Sequence, residues 1–300
     1  MTEFPIPRAA LLDGNALAAT IRNELRDDVA DFTRRYGRPP GLRVVLVGEH
    51  PASASYVSGK TQDARAVGLD AATVALPETT SEAELLALLD TLNRDDAVDG
   101  VLVQLPLPPH IRTERIVEAI APEKDVDGFH PENVGRAFTD TGGLLPCTPA
   151  GILELLERAD VATRGLHAVV VGRSLIVGKP MASLLSSPRY NCTVTLTHRH
   201  TRDLAAFTRA ADLLVVAVGQ PGLITADMVK DGAVVIDVGI NRVDDPSRER
   251  GYKLVGDVAF DDVAAKARLI TPVPGGVGPM TRAMLLRNTV QAARARAAEP

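Results

Sequence analysis

The apolar positions of this chain form short unbroken runs separated by longer stretches with a helical repeat. Leu17, Ile21, Leu25, Val29 and Phe32 recur every three to four residues, which predicts a helix over 15–36 with Gly37 as its stop. The β-branched run at 42–47 predicts a buried strand ending at Gly48. A helix at 53–67, a strand at 71–76, a helix at 81–93, a strand at 100–105 and a helix at 112–120 complete a first series. A second series opens with a helix over 149–158, with Thr148 as its cap and Pro149 at its first position. Strands at 167–171, 193–197, 213–218, 233–238 and 253–258 then alternate with helices at 179–186 and 201–209, and a last helix covers 281–295. Such alternation gives mostly parallel sheets covered on both faces. The expected fold class is α/β, as two α/β domains with a cleft between them.

Between the two series, residues 121–149 carry frequent Pro and Gly and little periodicity, which reads as a functional loop and linker. Composition narrows the picture further. Trp is absent and aromatics are 3%, so the core must be built from Val, Leu, Ile and Ala, as in parallel sheets. The net charge of −5, with no Lys/Arg cluster, argues against a nucleic-acid groove. Arg294 and Arg296 suit the end of a helix. Cys147 and Cys192 form no CxxC pair, which argues against a disulfide framework or a zinc site and for a reducing cytoplasm. The first eight residues lack a signal-peptide pattern, and no apolar run reaches membrane-spanning length, so no membrane is expected.

Strand 167–171 runs into Gly172-Arg173-Ser174-Leu175-Ile176-Val177-Gly178. A buried strand, a turn opening on glycine and a helix N-terminus together bind phosphate, because free N–H groups and the helix dipole face the anion. The spacing is not GxGxxG, and the competing reading is an ordinary strand–helix turn. The next strand ends in Thr197-His198-Arg199-His200-Thr201, where an NAD-binding unit would place an acid for the ribose 2′-hydroxyl. Arg199, helped by Arg173, could pair with a 2′-phosphate, which favours NADP over NAD. The alternative is that Arg199 is a solvated loop cation. His198 and His200 have no third partner, so no metal is expected. Gly219 and the run Gly239-Ile240 bring small residues to further strand ends, where a flat nicotinamide ring could lie against backbone.

Tyr56 and Lys60 stand four apart and share a helix face. A Tyr-x-x-x-Lys pair also occurs in short-chain dehydrogenases, but there it follows the dinucleotide turn, whereas here it precedes it. Gln104 ends an apolar strand and must find partners or face a cavity. Asp127 and Asp125 precede Gly128, and both could serve an Asx-type turn, with Asp125 also available to pair with Lys124. The Pro/Gly-rich segment 271–281, which includes Pro274, Gly275, Gly276 and Thr281, reads as a rigid ligand-contacting loop.

Tyr56-Val57-x-x-Lys60, Val103-Gln104-Leu105-Pro106-Leu107-Pro108, Lys124-Asp125-Val126-Asp127-Gly128, Pro146-Cys147-Thr148-Pro149-x-Gly151, Gly172-Arg173-Ser174-x-x-Val177-Gly178-x-Pro180 and Pro272-Val273-Pro274-Gly275-Gly276-Val277-Gly278-Pro279-Met280-Thr281 occur in this order. Together they resemble the bifunctional methylenetetrahydrofolate dehydrogenase/methenyltetrahydrofolate cyclohydrolase family over nearly the whole chain. The resemblance implies a folate-binding catalytic domain of residues 1–148 plus 281–300 and a Rossmann-like NADP-binding domain of 149–280. It implies Lys60 as the central catalytic residue, Tyr56 beside it over the folate, and Gln104 touching Lys60 and helping to keep it neutral. It further implies Asp127 on the pterin, and Leu105, Pro274, Gly275, Gly276 and Thr281 lining the folate. Gly172, Arg173, Ser174, Val177, Gly178, Thr197, His198, Arg199, Gly219 and Ile240 would hold NADP. A cytoplasmic homodimer joined through the cofactor domain is also implied. Three rivals stand beside it: another two-domain NADP-dependent dehydrogenase for small acids or shikimate-like alcohols, a relative that has lost one activity, and a nucleotide sensor without catalysis.

Overall fold

The structure, a computed structural model, describes residues 9–48 and 51–298, so the leader-peptide reading of residues 1–8 lies outside the described residues. In chain order the elements begin β1 (Ala10–Leu11), α1 (Gly14–Tyr36), β2 (Gly41–Val47), α2 (Pro51–Ala66), β3 (Asp70–Leu76), α3 (Glu82–Arg94) and β4 (Gly100–Val103). There follow α4 (Thr113–Ala119), a 3-10 turn at Pro122–Lys124, α5 (Pro131–Phe138), α6 (Cys147–Arg158), β5 (His167–Val171), α7 (Gly178–Ser186), β6 (Thr193–Thr197) and α8 (Leu204–Arg209). The rest comprises β7 (Leu213–Val216), a 3-10 turn at Ala226–Met228, β8 (Val234–Asp237), β9 (Asn241–Asp244), β10 (Tyr252–Val255), α9 (Phe260–Ala264), β11 (Leu269–Ile270) and α10 (Val277–Ala298). The chain divides into two compact units. One holds Ala19–Cys147 and the chain from Arg282 on; the other holds the residues up to Ala18 with Thr148–Thr281.

The first unit is built on a parallel sheet in the order β3-β2-β4. β2 and β4 are mostly apolar because both their faces are covered, whereas the edge strand β3 alternates covered and exposed residues. Val45, Val47, Val101 and Val103 pack with Leu85, Leu89 and Ile116, the apolar stripes of α3 and α4. α3 starts where the sequence supplies a capping box, with Ser81 and Glu84 each bonding the other's backbone N–H. Its other end is closed by Lys124, which is buried at 1% exposure and donates to the carbonyl oxygens of Leu92, Asn93 and Asp95 at 3.1, 2.7 and 2.8 Å. Lys124 is thus committed to α3 and does not pair with Asp125. The Asp125 carboxylate instead accepts from the His130 N–H and the Asn133 amide. These two residues bracket the start of α5, a helix inside the stretch expected to be irregular. Eight residues are too few to show a helical repeat, and α5 is held by Pro131 in its first turn and by the His130 ring accepting from Glu132 N–H.

The second unit carries a six-stranded parallel sheet in the order β1-β11-β8-β7-β5-β6. The chain leaves β5 for β6 on one side and then crosses to β7 on the other, so the strand order reverses between β5 and β7. Ligands in open α/β sheets bind at such a reversal. Val169, Val171, Leu214, Val216, Val235 and Ile270 fill the core with Val263 and Ala264 of α9. Residues 10–11 belong to this unit and not with the chain that follows them, because Ala10 and Leu11 ladder in parallel with Leu269 and Ile270. Several helix starts also differ from expectation, among them α8, which begins at Leu204 with Asp203 as its cap, α6 and α10. α6 begins at Cys147, so Thr148 lies in its first turn instead of capping it, and its hydroxyl meets that of Thr281 at 3.0 Å. α10 begins at Val277, since Pro279 sits in the first turn, where no N–H is required.

Lys124→Met should destabilise the protein by about 2–4 kcal/mol, since three carbonyl groups lose a buried donor. Urea denaturation would measure this, and a loss under about 1 kcal/mol would show that the carbonyls find other partners.

Candidate active site

In the first unit, α2 and the end of β4 bring the predicted catalytic side chains together. Lys60 is 6% exposed, and its Nζ donates to Gln104 Oε1 at 3.1 Å. The same Nζ lies 4.9 Å from the centroid of the Tyr56 ring, one helical turn away. Gln104 is aimed by its own backbone: its N–H donates to Val45 O at 2.8 Å, and its side-chain Nε2 donates to Leu105 O at 2.7 Å. The Lys-Asp-Val-Asp-Gly loop runs beside β4, with Asp125 bridged to Val101. Gly128 has φ +73°, and a Cβ there would lie 2.4 Å from Leu145 C, so this loop and the 145–146 segment touch backbone to backbone. Among the described residues nothing hydrogen-bonds the Asp127 carboxyl group, so it does not form the Asx turn that the sequence allowed. Burial raises its pKa, the Lys60 charge opposes that rise and Asp125 adds to it. The Tyr56 hydroxyl is pushed up to about 12, first by burial and then by Asp127, so the phenol stays protonated at neutral pH.

Two contributors to this cluster carried no signal in the sequence. Asn288, in α10, donates from its Nδ2 to Val126 O and Leu145 O, both at 2.9 Å, and so ties the peptide that leads into Asp127 to the Leu145–Pro146 peptide. The Cys147 thiol is buried against Val126 O and is raised well above its ordinary value by burial, which makes it a packing residue and not a nucleophile. Arg282 pairs with Asp63 at 2.8 Å and lies against Gly59, where a Cβ would come within 2.7 Å of its Nη1. It fixes the face of α2 that carries Tyr56 and Lys60. A single helix residue more than 140 positions from its partners gives no local pattern by which to find it.

The segment 271–281 folds with the second unit. Gly275 O accepts from Asn15 N–H, Gly276 O lies where a Cβ on Gly14 would sit, and Thr281 meets Thr148. Pro274 is exposed.

In that same unit the turn after β5 has the close approaches that only glycine allows. Gly172 has φ +115°, and a Cβ on it would lie 2.2 Å from Ala217 O; a Cβ on Gly178 would lie 2.0 Å from Gly172 O. Ser174 Oγ accepts from the N–H groups of Val177 and Gly178, which leaves its own proton free to donate outward. Val171, Gly172, Arg173, His198, Arg199, Ala217 and Val218 are among the residues lining a cavity of about 680 Å³ at the strand-order reversal. Arg199 is exposed, and its Nε donates to His200 Nε2 at 3.1 Å. Thr197, by contrast, is buried and its hydroxyl turns inward to Val170 O. The exposed Ile240 follows β8, and Gly219 follows β7 at φ +69°.

Two aspartates that pattern reading passed over shape these last loops. Asp257 accepts from the N–H groups of Val218, Gly219 and Gln220 and from Asn241 Nδ2, at 2.7–3.0 Å. Asp237 accepts from the N–H groups of Gly239, Asp257 and Val258.

A glycine turn and cavity at the reversal of a parallel sheet, together with a second α/β unit holding a buried lysine on an amide, define a dinucleotide-dependent α/β enzyme. Residues 12–127 match the tetrahydrofolate dehydrogenase/cyclohydrolase catalytic domain, and residues 146–297 match the NAD(P)-binding domain of the same family. The chain is 58% identical to the bifunctional protein FolD of Salinibacter ruber, across 96% of this chain and 97% of that one. The crystal structure of the bifunctional FolD enzyme from Campylobacter jejuni superimposes with a TM-score of 0.91 at 48% identity, covering 96% of this chain and 99% of that one. The Trypanosoma brucei dehydrogenase-cyclohydrolase, solved with NADP and an inhibitor, gives 0.93 at 42% identity, with 97% and 99% covered. This chain belongs to the tetrahydrofolate dehydrogenase/cyclohydrolase family.

Burial raises the Asp237 carboxyl to about 6, with its three backbone donors acting against the rise. Because the folded value lies above the unfolded one, its stabilising contribution is complete below pH of about 4 and is lost as pH rises through about 6. Carbon-13 carboxyl titration should give a midpoint near that value; a midpoint at the ordinary aspartate value would contradict it.

Proposed function

We propose that this protein oxidises 5,10-methylenetetrahydrofolate to 5,10-methenyltetrahydrofolate with NADP+ and hydrolyses the product to 10-formyltetrahydrofolate. The observation that carries this reading is the buried Lys60 amine on Gln104, beneath Tyr56 and beside Asp127. A family carrying both activities supplies the context. The first unit, with Lys60, Tyr56, Gln104, Leu105 and Asp127, is the folate-binding catalytic part. The second is the Rossmann-like NADP-binding part, in which the 274–276 segment and Thr281 serve the folate.

The residues fit the cofactor. The Gly172 and Gly178 backbones have no room for side chains, and the free Ser174 proton and the start of α7 suit a phosphate. Arg199 and Arg173 are the cations for a 2′-phosphate, with Val177, Gly178, His198, Gly219 and Ile240 completing the cofactor set. NADP+ supplies the hydride acceptor. The chain's own part in that step is placement, since no hydroxyl proton has to be removed.

Hydrolysis needs proton transfer. The Lys60 amine takes a proton as water forms the C–O bond to the methenyl carbon, and N5 receives one as the C–N5 bond breaks. Gln104 anchors the amine without adding a negative charge that would hold its proton in place. The Asp127 carboxyl, free of protein partners, faces donors of the aminopyrimidine edge of the pterin. Cys147 and Cys192 are free and buried, which suits a reducing cytoplasm; among the described residues no helix is long and apolar enough to cross a membrane. The working assembly is a homodimer joined through the cofactor unit, as the family resemblance implies.

Lys60→Met should lower methenyl hydrolysis by about a hundredfold or more and leave NADP binding intact. Full ring opening by that variant would remove Lys60 from the mechanism. Arg199→Ala should weaken NADP by about tenfold more than NAD, read from the KM values of both cofactors. Equal losses would show that Arg199 does not read the 2′-phosphate.

A further inference from the structure

Asp257 is 0% exposed, and its carboxylate accepts from three successive backbone amides, those of residues 218–220, directly after β7. In a trans peptide the carbonyl points away from its partner N–H. Turning these amides inward therefore turns the carbonyl groups of Ala217, Val218 and Gly219 outward. Ala217 O emerges beside Gly172, at the edge of the cavity of about 680 Å³. Among the described residues no donor hydrogen-bonds the oxygens of Ala217, Val218 or Gly219. The mouth of the sheet is thus divided by chemistry. On the β5 side, the Ser174 hydroxyl presents a free donor at the positive end of the α7 dipole, which suits phosphate. On the β7 side the loop presents bare acceptors, backed by a buried carboxylate.

An acceptor rim repels phosphate and attracts positive charge or N–H groups. The two redox forms of the cofactor differ in this respect: the oxidised nicotinamide ring carries a positive charge and the reduced ring carries none. We propose that Asp257 is a positioning residue that makes the 217–219 rim an acceptor surface and thereby favours the oxidised cofactor over the reduced one. The proposal rests on the reading that this unit binds NADP. Asp237 supports the arrangement from behind, through its bond from Asp257 N–H at 2.9 Å. The packing leaves no slack: a Cβ on Gly256 would lie 1.8 Å from Asp237 Oδ2, and one on Gly239 would lie 2.3 Å from the Asp257 carboxyl carbon.

The test compares dissociation constants for NADP+ and NADPH in the full-length protein, by calorimetry and by NADPH fluorescence, with melting curves to verify folding. Asp257→Asn keeps the shape, removes the charge and cannot accept from every amide. It should weaken NADP+ by about threefold to tenfold more than NADPH, the size of one net hydrogen bond. Asn241→Ala removes one donor to Asp257 Oδ1 and leaves the charge less neutralised, and should move the ratio the opposite way, toward NADP+, by about twofold. A folded Asp257→Asn protein that loses affinity equally for both forms would overturn the proposal and leave Asp257 a structural residue. Should that variant not fold, an unchanged ratio in Asn241→Ala would overturn it equally. Wild-type protein that binds neither cofactor would instead defeat the functional reading, and the proposal with it.

Discussion

In both units the chemistry hangs from the carboxyl ends of parallel strands, where the ladder of backbone hydrogen bonds runs out and the exposed peptide groups must find other partners. Gln104 stands at the end of β4 and is aimed by Val45 O. Gly172 leaves β5, Val218 leaves β7 and Asp237 closes β8. At each end the chain solves the same problem with different means: a side-chain amide, a glycine turn, or an aspartate that gathers stray N–H groups. The unpaired backbone at a strand end is thus both the difficulty that folding must resolve and the material from which the site is made.

Aspartates do much of that resolving, and their roles diverge with surroundings. Asp99 is fully buried and is met by Arg38, Arg296 and the Gly41 N–H, so it ties the start of β2 to α10. Asp125 organises the start of α5. Asp257 and Asp237 fold loops around themselves. Asp127 alone among these has no partner from the protein, although it lies two residues from Asp125 in the same short motif. A free carboxyl beside a buried amine is what separates a binding group from a structural one here.

Much of the scaffold was legible in the sequence because a parallel sheet covered on both faces writes itself as unbroken apolar runs, such as 44–47 and 168–171. The Tyr56/Lys60 pair was legible because helical spacing is local, and Gly172 and Gly178 because close approach demands glycine. What escaped was non-local. α5 is too short to show a period, and its stability comes from Asp125 and Asn133. Thr148 looked like a helix cap, but the helix began two residues earlier than expected, at Cys147, and the Thr148 hydroxyl found Thr281. Lys124 reached α3 and not its neighbour Asp125. Asn288, Arg282 and Asp257 act on backbone and side chains far away in the chain, and no window of sequence contains both halves of those contacts.

The reciprocal packing of Asp237 against Gly256 and of Asp257 against Gly239 links the four positions in a way that bears on how such a loop can drift. Each glycine lies against the carboxylate opposite; Asp237 is seated by the N–H groups of Asp257 and Val258 beside Gly256, and Asp257 by those of residues 218–220 and by the Asn241 side chain just beyond Gly239. A change at any one of them removes the steric reason for the residue at another, so the four positions act as one packing unit. Libraries meant to retune the cofactor loops would do best to hold these four constant and to vary Gln220, Ile240 and their exposed neighbours, where the backbone is already set and side chains have room.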